Sequence, residues 1–439
     1  MINLRDYQEA GKAFFADSDA AYWAMEMRLG KTITCIRWLI EHPKEPQIIA
    51  IVAPKTVLIP WEIEIKNDGY PVYPHWGGSV AERKAELASP LPGFHLFNYE
   101  AVTKLEDELA QFDAIVCDEA TRIKNAGAET TKTLLNLSRI IPIRAALSGL
   151  PNPEGWEDIW SQMAFVSGGG WMGFKNFWSW RQAHAKKFGY DWMIPPSKQA
   201  EIRMAFHADA YVLTRKQAGI RDVKIRQRRH GAMPAATRKV YEACARSWEH
   251  PDGRQAKHAP VVVTWLRQIA GGCVPGAPNP WKVDELINIL TQELPNDNVV
   301  VWFAYNAEIY HVWQALKPHG INATWITGAT SQEERRERMG RFQRKERRVI
   351  LMQMACGQYG IDLSAADTAI YYSTTYRYEL RAQSEERIFA VGKPNDLLMI
   401  DLVTDDSTDE VVLESIAEKK SDASFLLAKL NLKPPKGSQ

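Results

Sequence analysis

The sequence has 439 residues, 45% of them hydrophobic and 24% charged, and a formal net charge of +1. The length predicts two or three domains, the composition is that of an ordinary soluble globular protein, and the small net charge excludes a global field that draws the chain onto nucleic acid. No apolar stretch is long enough to span a bilayer and Met1–Asp6 is not a secretory signal, so we expect no membrane partner. The five cysteines form no CxxC pair, which argues against a zinc site or disulfides and predicts a reducing, cytoplasmic compartment.

The first informative pattern is Gly30-Lys31-Thr32, followed by an amphipathic segment, Ile33–Ile40, that predicts a helix. Backbone amides at a helix start, one lysine and one hydroxyl form a cradle for a triphosphate and magnesium. Met25 stands where GxxxxGKT motifs have their first glycine. Taken alone, a Gly-Lys-Thr tripeptide is often a surface turn.

A buried strand predicted at Ala114–Cys117 delivers two adjacent carboxylates, Asp118 and Glu119, at its carboxyl end. The aspartate is the ligand that magnesium in the cradle still needs, and the glutamate can orient or deprotonate a water. Taken alone, such a pair is a capping feature at the end of a strand. Together with the cradle, it indicates hydrolysis of a nucleoside triphosphate.

Short β-branched runs alternate with helical patterns in both halves of the chain. The predicted strands are Ile48–Val52, Ala114–Cys117, Arg144–Leu147, Val299–Phe303, Val349–Met352, Thr368–Tyr372 and Leu397–Leu402. This alternation predicts parallel sheets covered by helices and, because each set has the size of a domain, two α/β lobes.

The segment 155–270 lacks clear strands and is rich in tryptophan and basic residues. We interpret it as a helical insertion plus a connector, with its tryptophans serving mainly as packing. Lobe one is therefore predicted at residues 1–154. Lobe two is predicted at residues 271–439, entered through the Gly/Pro-rich loop 271–280.

In order along the chain, further motifs resemble those of the SWI/SNF-type ATPases of helicase superfamily two. The matching segments are Leu4-Arg5-Asp6-Tyr7-Gln8 ("LRxYQ"), residues 24–32 ("ADEMGLGKT"), residues 53–58 with Trp61 ("CPxSVLxxW"), Asn98-Tyr99-Glu100 ("TTYE"), residues 118–125 ("DEAHRIKN"), residues 147–153 ("LTGTPIQN"), residues 213–216 ("LRRTK"), residues 266–269 ("LRQIC"), residues 327–331 ("DGSTS"), residues 357–367 ("GGLGINLTAAD") and residues 383–387 ("QAxDR"). The resemblance covers nearly the whole chain. It implies an α/β fold of two RecA-like parallel-sheet lobes in tandem with a helical insertion between them, and an ATP site in the cleft.

The resemblance also implies roles at the ATP site. Lys31 would contact the β- and γ-phosphates, Thr32 and Asp118 would hold Mg²⁺, and Glu119 would position the attacking water. Arg5 and Gln8 would flank the adenine; the alternative is that they are polar residues of an amphipathic first helix. The remaining expected residues are Leu29, Gly30, Gly360 and Asp362 at the nucleotide, and Gln383 and Arg387 as catalytic groups of lobe two.

The implied partner is double-stranded DNA, contacted mainly through its phosphates, because a motor that moves along any sequence cannot depend on base edges. The expected contact residues are Lys55, Thr56, Asn98, Ser148, Gly149, Thr327, Gly328, Ser364 and Tyr376. Alternatives are simple turn chemistry for Ser148 and Gly149, and a packing role for Tyr376. The arginines between Arg335 and Arg348 add salt-dependent affinity or form a solvated helix face, since glutamates interleave with them.

One departure from the family pattern concerns the last motif. The family has two arginines three residues apart, but here Arg387 is followed by Ala390. Such arginines supply a large electrostatic contribution to phosphoryl transfer. Hydrolysis is therefore slow, or Lys393 or Arg381 substitutes, or the arginine has been removed to trap a bound state.

Taken together, the sequence predicts an ATP-dependent translocase on duplex DNA. A strand-separating DNA helicase or an RNA remodeller is the alternative from the same superfamily, and a nucleotide-gated DNA clamp is the alternative from another class. Because no accessory module is visible, we expect a minimal monomeric motor of the kind carried by bacteria and their viruses. The pathway, the direction of translocation and any protein partner stay open.

Overall fold

The computed structural model describes residues 3–188, 191–357, 361–418, 429–430 and 432. Of the predicted site residues, Gly360 and the side chain of Thr56 lie outside the described part. The chain divides into two compact units, Met1–Ile220 and Arg221–Gln439. Among the described residues, no helix is both long and apolar enough to cross a membrane.

The first unit contains a parallel sheet and a short hairpin. Its strands are β1 (Ala20–Met25), β2 (Ile48–Ala53), β3 (Val72–Pro74), β4 (Gly93–Asn98), β5 (Ala114–Asp118), β6 (Ile143–Leu147), β7 (Lys186–Phe188), β8 (Asp191–Met193) and β9 (Tyr211–Leu213). Its helices are α1 (Asp6–Ala13), α2 (Lys31–Ile40), α3 (Lys55–Asn67), α4 (Val80–Leu87), α5 (Tyr99–Val102), α6 (Glu106–Leu109), α7 (Glu129–Leu137), α8 (Glu157–Val166), α9 (Phe177–His184) and α10 (Pro196–Asp209). The seven sheet strands have the order β3-β4-β2-β5-β6-β1-β9, and β7 pairs antiparallel with β8.

Strand β5, in the middle of this sheet, is apolar from Ala114 to Cys117 because both of its faces are buried. Along β5, Ile115 and Cys117 belong to one hydrophobic cluster, whereas Ala114 and Val116 belong to another. Helix α8 contributes to the first cluster and α2 to the second. Since side chains alternate between the faces of a strand, a sheet with helices on both sides needs this unbroken apolar pattern.

The second unit contains a six-stranded parallel sheet. Its strands are β10 (Lys224–Gly231), β11 (Val299–Phe303), β12 (Ala323–Ile326), β13 (Val349–Gln353), β14 (Thr368–Tyr371) and β15 (Leu397–Thr404). Its helices are α11 (Ala235–Ser247), α12 (Ala259–Ala270), α13 (Trp281–Asn288), α14 (Asn306–Leu316), α15 (Gln332–Gln343), α16 (Tyr378–Glu386) and α17 (Thr408–Ala417). The strand order is β10-β15-β14-β11-β13-β12, and all paired strands run parallel.

The two α/β sheets confirm the predicted fold class, and all seven predicted strands are present as β2, β5, β6, β11, β13, β14 and β15. The expectation that residues 155–270 lack strands is wrong, because β7, β8, β9 and β10 lie there. Strand β9 adds to the first sheet beside β1, and β10 adds to the second beside β15. The boundary between the units therefore falls inside this segment, at Ile220.

Candidate nucleotide-binding site

The loop between β1 and α2 has the geometry of an anion cradle. Gly30 adopts a left-handed conformation with φ 78°, and a Cβ at this position would lie 2.1 Å from Nε2 of Gln8. Among the described residues, no side chain caps the start of α2. The first amides of α2, including those of Lys31 and the half-buried Thr32, therefore form the positive end of a ten-residue helix.

Gln8 braces this loop from α1. Its Nε2 donates a hydrogen bond to the carbonyl oxygen of Leu29 (3.0 Å), and its Oε1 accepts one from the backbone N–H of Arg5 (2.8 Å). The Leu29 side chain is fully buried, whereas Arg5 is exposed. The structure thus brings Gln8, Leu29 and Gly30 together, with Arg5 adjoining them through its backbone.

Arg215 holds the same loop from the other side and was not among the predicted site residues. Its backbone N–H donates to Oε2 of Glu26 (2.8 Å), and its buried guanidinium donates to the carbonyl oxygen of Met27 (Nη2–O 3.0 Å). The loop lacks the usual first glycine, and these bonds from beyond β9 fix its path instead. The only sequence signal was the position of Arg215 in the Leu213-Thr214-Arg215-Lys216 motif.

Lys31 lies close to both predicted catalytic carboxylates. Its Nζ donates to the carbonyl oxygens of Met25 (2.9 Å) and Glu26 (3.4 Å). Burial lowers the pKa of Lys31, while the negative charges of Glu119 and Asp118 act in the opposite direction. A Cβ on Gly149 would lie 3.5 Å from this Nζ, so Gly149 also adjoins the cradle.

Both carboxylate oxygens of Asp118 accept hydrogen bonds. Its Oδ2 accepts a hydrogen bond from Nε1 of Trp61 (2.7 Å), and its Oδ1 accepts one from the backbone N–H of Glu119 (2.8 Å). Its carbonyl oxygen accepts one from the Tyr99 hydroxyl (2.8 Å). Burial raises the pKa of Asp118, and the Trp61 hydrogen bond and the charge of Lys31 oppose this shift. Glu119 itself has φ 52°, a left-handed conformation that is uncommon for a residue with a side chain.

Two residues predicted to contact DNA have side chains that solvent does not reach. Ser148 is fully buried, and its hydroxyl accepts a hydrogen bond from the Leu150 N–H (3.2 Å), which is turn chemistry. Thr327 is also fully buried, and its backbone N–H donates to the Thr330 hydroxyl (3.0 Å). Neither side chain is accessible to DNA in this structure, because both are packed beneath the turns that they form.

The other predicted DNA-contacting residues are wholly or partly accessible. Lys55 is exposed at the start of α3, and Asn98 is half-buried with its Nδ2 donating to Glu100 Oε2 (2.7 Å). Among the described residues, a Cβ at Gly328 would meet only Gln353, at 3.8 Å. The half-buried Ser364 has its backbone N–H bonded to the exposed carboxylate of Asp362, a predicted nucleotide contact.

Tyr376 packs within the second unit. It is half-buried and lies against the small cluster formed by Val263 and Val412. The Arg267 guanidinium lies 5.8 Å from the centre of its ring. These contacts give Tyr376 a packing role, although part of its surface stays exposed.

The arginines around α15 largely bind groups of their own unit. The Arg338 guanidinium donates to the Trp325 carbonyl oxygen (2.8 Å) and lies 4.2 Å from the centre of the Trp325 ring. Arg348 donates to the carbonyl oxygens of Leu290 and Leu294. Arg344 pairs with Glu346 at 2.7 Å. These contacts favour a structural interpretation of the segment over a dedicated DNA-binding one.

In α16, Gln383 and Arg381 are internal residues. Gln383 is 2% exposed and donates to Glu379 Oε1 (3.1 Å), so this predicted catalytic side chain is buried within its unit. Arg381 pairs with Asp401 (2.5 Å) and Glu385 (2.9 Å) and lies on the ring of Tyr371. Arg387, directly after α16, is half-buried.

The ion pairs of α16 extend to the edge strand β10. Glu385 also accepts two hydrogen bonds from Arg226, at 2.7 Å each. Burial alone would raise the pKa of Glu385, but the bonds from Arg226 and the charge of Arg381 lower it to about 2. Arg381 is therefore the centre of a buried ion-pair network that fastens α16 to β10 and β15.

Lys393, the other cation considered as a substitute for the missing arginine, also has partners in its own unit. Its Nζ pairs with Asp367 Oδ1 (2.7 Å) and donates to the carbonyl oxygens of Ile388 (2.9 Å) and Ala366. Arg381 and Lys393, the two residues considered as substitutes for an arginine at position 390, thus both form ion pairs within their own unit.

Comparisons with known proteins match the two units separately. The SNF2-related domain matches residues 7–218, and the helicase conserved C-terminal domain matches residues 281–392. The probable ATP-dependent DNA helicase CHR12 of Arabidopsis thaliana is 23% identical over 97% of this chain. The putative ATP-dependent helicase/translocase YwqA of Bacillus subtilis is 23% identical over 94%. The chain spans only 42% and 48% of the lengths of these two relatives.

Among solved structures, the chain is similar to the Sulfolobus solfataricus SWI2/SNF2 ATPase core in complex with dsDNA. The sequence identity is 18%, 98% of each chain is covered, and the TM-score is 0.45.

Two RecA-like parallel-sheet units that follow one another in the chain, the first with a Gly-Lys-Thr helix start and an Asp-Glu strand end, are typical of a helicase-type ATPase core. Within this class, an SNF2-related domain followed by a helicase conserved C-terminal domain is the domain order of one family. The chain belongs to the SWI/SNF-type ATPases of helicase superfamily two.

Proposed function

We propose that this chain hydrolyses ATP with Mg²⁺ and uses the cycle to move along double-stranded DNA. The observation that carries the proposal is the grouping of Lys31, at the start of α2, with Asp118 and Glu119, at the carboxyl end of β5. The names of its relatives, an ATP-dependent DNA helicase and a helicase/translocase, support the same chemistry and the same class of polymer.

The residues present fit a magnesium-bound triphosphate. The start of α2 offers backbone N–H donors, and Gly30 keeps the approach open where a Cβ would collide with Gln8. The Thr32 hydroxyl and the Asp118 carboxylate are the hard oxygen ligands that Mg²⁺ prefers. Lys31 adds a positive charge beside them.

ATP supplies the phosphoryl group, and Mg²⁺ neutralises charge on its phosphates. We assign phosphate binding to Lys31 and the amides of α2, metal binding to Thr32 and Asp118, and orientation of the attacking water to Glu119. Because Glu119 can also accept a proton from that water, it would serve as the general base. In the second unit, Arg387 would stabilise charge that develops at the γ-phosphate.

Contacts to DNA would run through the phosphate backbone. Lys55 offers a charge, Asn98 and Ser364 offer polar groups, and the exposed Gly328 offers its backbone. Phosphate contacts of this kind fix position without reading sequence, which suits a translocating motor. Because Tyr376 is only half-buried, the exposed part of its surface would adjoin the DNA.

The polymer that stimulates hydrolysis tests this proposal. We expect duplex DNA to raise the steady-state ATPase rate severalfold or more and single-stranded RNA to raise it little. The affinity for DNA should fall steeply with salt, because phosphate contacts release counterions. The measurement is ATP turnover against polymer concentration at several salt concentrations. Equal stimulation by RNA would overturn the duplex-translocase proposal in favour of an RNA remodeller.

Two further assays separate the remaining alternatives. A translocase displaces the third strand of a triplex without unwinding a forked duplex, whereas a strand-separating helicase unwinds the fork. A nucleotide-gated clamp would bind duplex DNA in an ATP-dependent way but show almost no turnover with or without DNA.

A further inference from the structure

The indole of Trp61 lies against the proposed metal ligand. Trp61 belongs to α3 and is fully buried, and its Nε1–H donates to Asp118 Oδ2 at 2.7 Å. On the other carboxylate oxygen, Oδ1 accepts the backbone N–H of Glu119 at 2.8 Å. Each carboxylate oxygen therefore has one fixed donor, which sets the rotamer of the side chain and leaves further lone pairs for other ligands.

The helix that carries Trp61 is tied to the helix that carries the phosphate-binding residues. Asp68, just after α3, pairs with Arg37 of α2 at 2.9 Å, and these side chains are only 0% and 5% exposed. A buried, charge-assisted contact of this kind holds its partners in one geometry. The indole donor is therefore fixed relative to the helix that begins with Lys31 and Thr32.

A neutral donor suits a metal ligand. It satisfies a buried carboxylate oxygen, which would be costly to leave unpaired, without cancelling the negative charge that attracts the cation. A lysine or arginine in the same place would form an ion pair and compete with the metal for the carboxylate. In metal sites, residues that hydrogen-bond the metal ligands orient those ligands, and loss of such a residue typically lowers metal affinity about 10- to 100-fold.

We infer that Trp61 is a positioning residue for Mg²⁺: its indole N–H holds Asp118 in the orientation that binds the metal of the Mg²⁺–ATP complex. This inference rests on the proposed ATPase function. If it is correct, loss of the indole N–H weakens the binding of nucleotide in the presence of Mg²⁺ and does not change the binding of nucleotide without Mg²⁺.

The test compares Trp61→Phe with Trp38→Phe. Trp38, in α2, is likewise buried and loses an indole hydrogen bond, but its partner is the Phe15 carbonyl oxygen (2.9 Å) instead of Asp118. The affinity for AMP-PNP, a non-hydrolysable ATP analogue, is measured by calorimetry with Mg²⁺ and with EDTA. Trp61→Phe should weaken binding about 10-fold or more with Mg²⁺ and leave it unchanged with EDTA. Trp38→Phe should leave the ratio of the two affinities as in the wild type.

Each outcome is decisive. If the wild type shows no Mg²⁺-dependent binding, the proposed function fails. If the wild type shows Mg²⁺-dependent binding and Trp61→Phe keeps the wild-type ratio of the affinities with Mg²⁺ and with EDTA, the inference alone fails. The inference also fails if Trp61→Phe weakens AMP-PNP binding equally with Mg²⁺ and with EDTA. If Trp61→Phe does not fold, Trp61→His, which retains a ring N–H, must still bind AMP-PNP more tightly with Mg²⁺. Loss of that difference in folded Trp61→His overturns the inference.

Discussion

Lys31→Ala is expected to abolish ATP turnover and to leave the fold intact. Among the described residues, the Lys31 ammonium bonds only two carbonyl oxygens, that of Met25 at the end of β1 and that of Glu26, and it contributes no hydrophobic core packing. Its loss removes the side-chain cation beside Asp118 and Glu119. Loss of one preorganised charge-stabilising donor typically costs about 10²–10³ in kcat, or about 2.7–4 kcal/mol. The measurements are duplex-stimulated ATP turnover and the thermal unfolding midpoint. Turnover within a few fold of the wild type would contradict the assignment of the cradle.

Glu119→Gln separates binding from hydrolysis at the same site. The isosteric amide cannot accept a proton from water, whereas Asp118 and Lys31 survive to hold metal and phosphates. We therefore expect normal Mg²⁺–ATP binding with hydrolysis blocked. Glu129→Gln, at an exposed position at the start of α7, is the matched control and should keep wild-type turnover. An unaltered rate in Glu119→Gln would show that another group positions the water.

How much of the fold could be predicted depended on burial and on β-branched content. The buried strands β5, apolar from Ala114 to Cys117, and β11 were predicted from sequence, whereas the buried β1, which has no β-branched residue, was not. Edge strands carry weaker signals: β9 has three residues, and β10 (Lys224–Gly231) is a polar, charged sequence. Strand β10 is held by pairing with β15 and by ion pairs to α16, and both are long-range contacts that no local pattern encodes.

In the candidate site too, some residues could be predicted from local sequence patterns and others depend on long-range contacts. Gly30, Lys31, Asp118 and Glu119 were predictable because their chemistry follows from motifs at the ends of predicted elements. The roles of Trp61 and Arg215 depend on partners 57 and 188 residues away in sequence, so only the fold connects them. Likewise, Arg381 is in sequence simply a cation near the last motif, and its ion pairs with Asp401 and Glu385 appear only once β15 and α16 are packed together.

These ion pairs bear on the missing arginine at position 390. Arg381 is engaged by Asp401 and Glu385, and Lys393 by Asp367 and two carbonyl oxygens. Removing one partner of a buried ion pair typically costs about 3–5 kcal/mol, because the remaining charge is left uncompensated. We therefore expect Arg381→Ala to lower the free energy of unfolding by this amount. Its activity must accordingly be compared per folded molecule.

Ala390→Arg is expected to raise the DNA-stimulated kcat by about 10- to 10³-fold, equivalent to about 1.4–4 kcal/mol of transition-state stabilisation. Nucleotide affinity should change far less, because the new charge would act mainly on charge that develops at the γ-phosphate. Arg387→Ala should abolish the activity that the chain retains, since it removes the arginine that remains in the motif. Ala390→Lys is the matched control: it restores a charge without the planar donor geometry and should raise kcat less.

The competing hypothesis is that Lys393 or Arg381 already replaces the arginine. It predicts little change in Ala390→Arg and a severe loss of kcat per folded molecule in Lys393→Ala or Arg381→Ala. Because both cations already form ion pairs within their own unit, we expect the opposite result. Lys393→Ala and Arg381→Ala should keep a normal kcat per folded molecule and lower only the free energy of unfolding. A normal starting rate together with no gain in Ala390→Arg would show that this site does not need a second arginine.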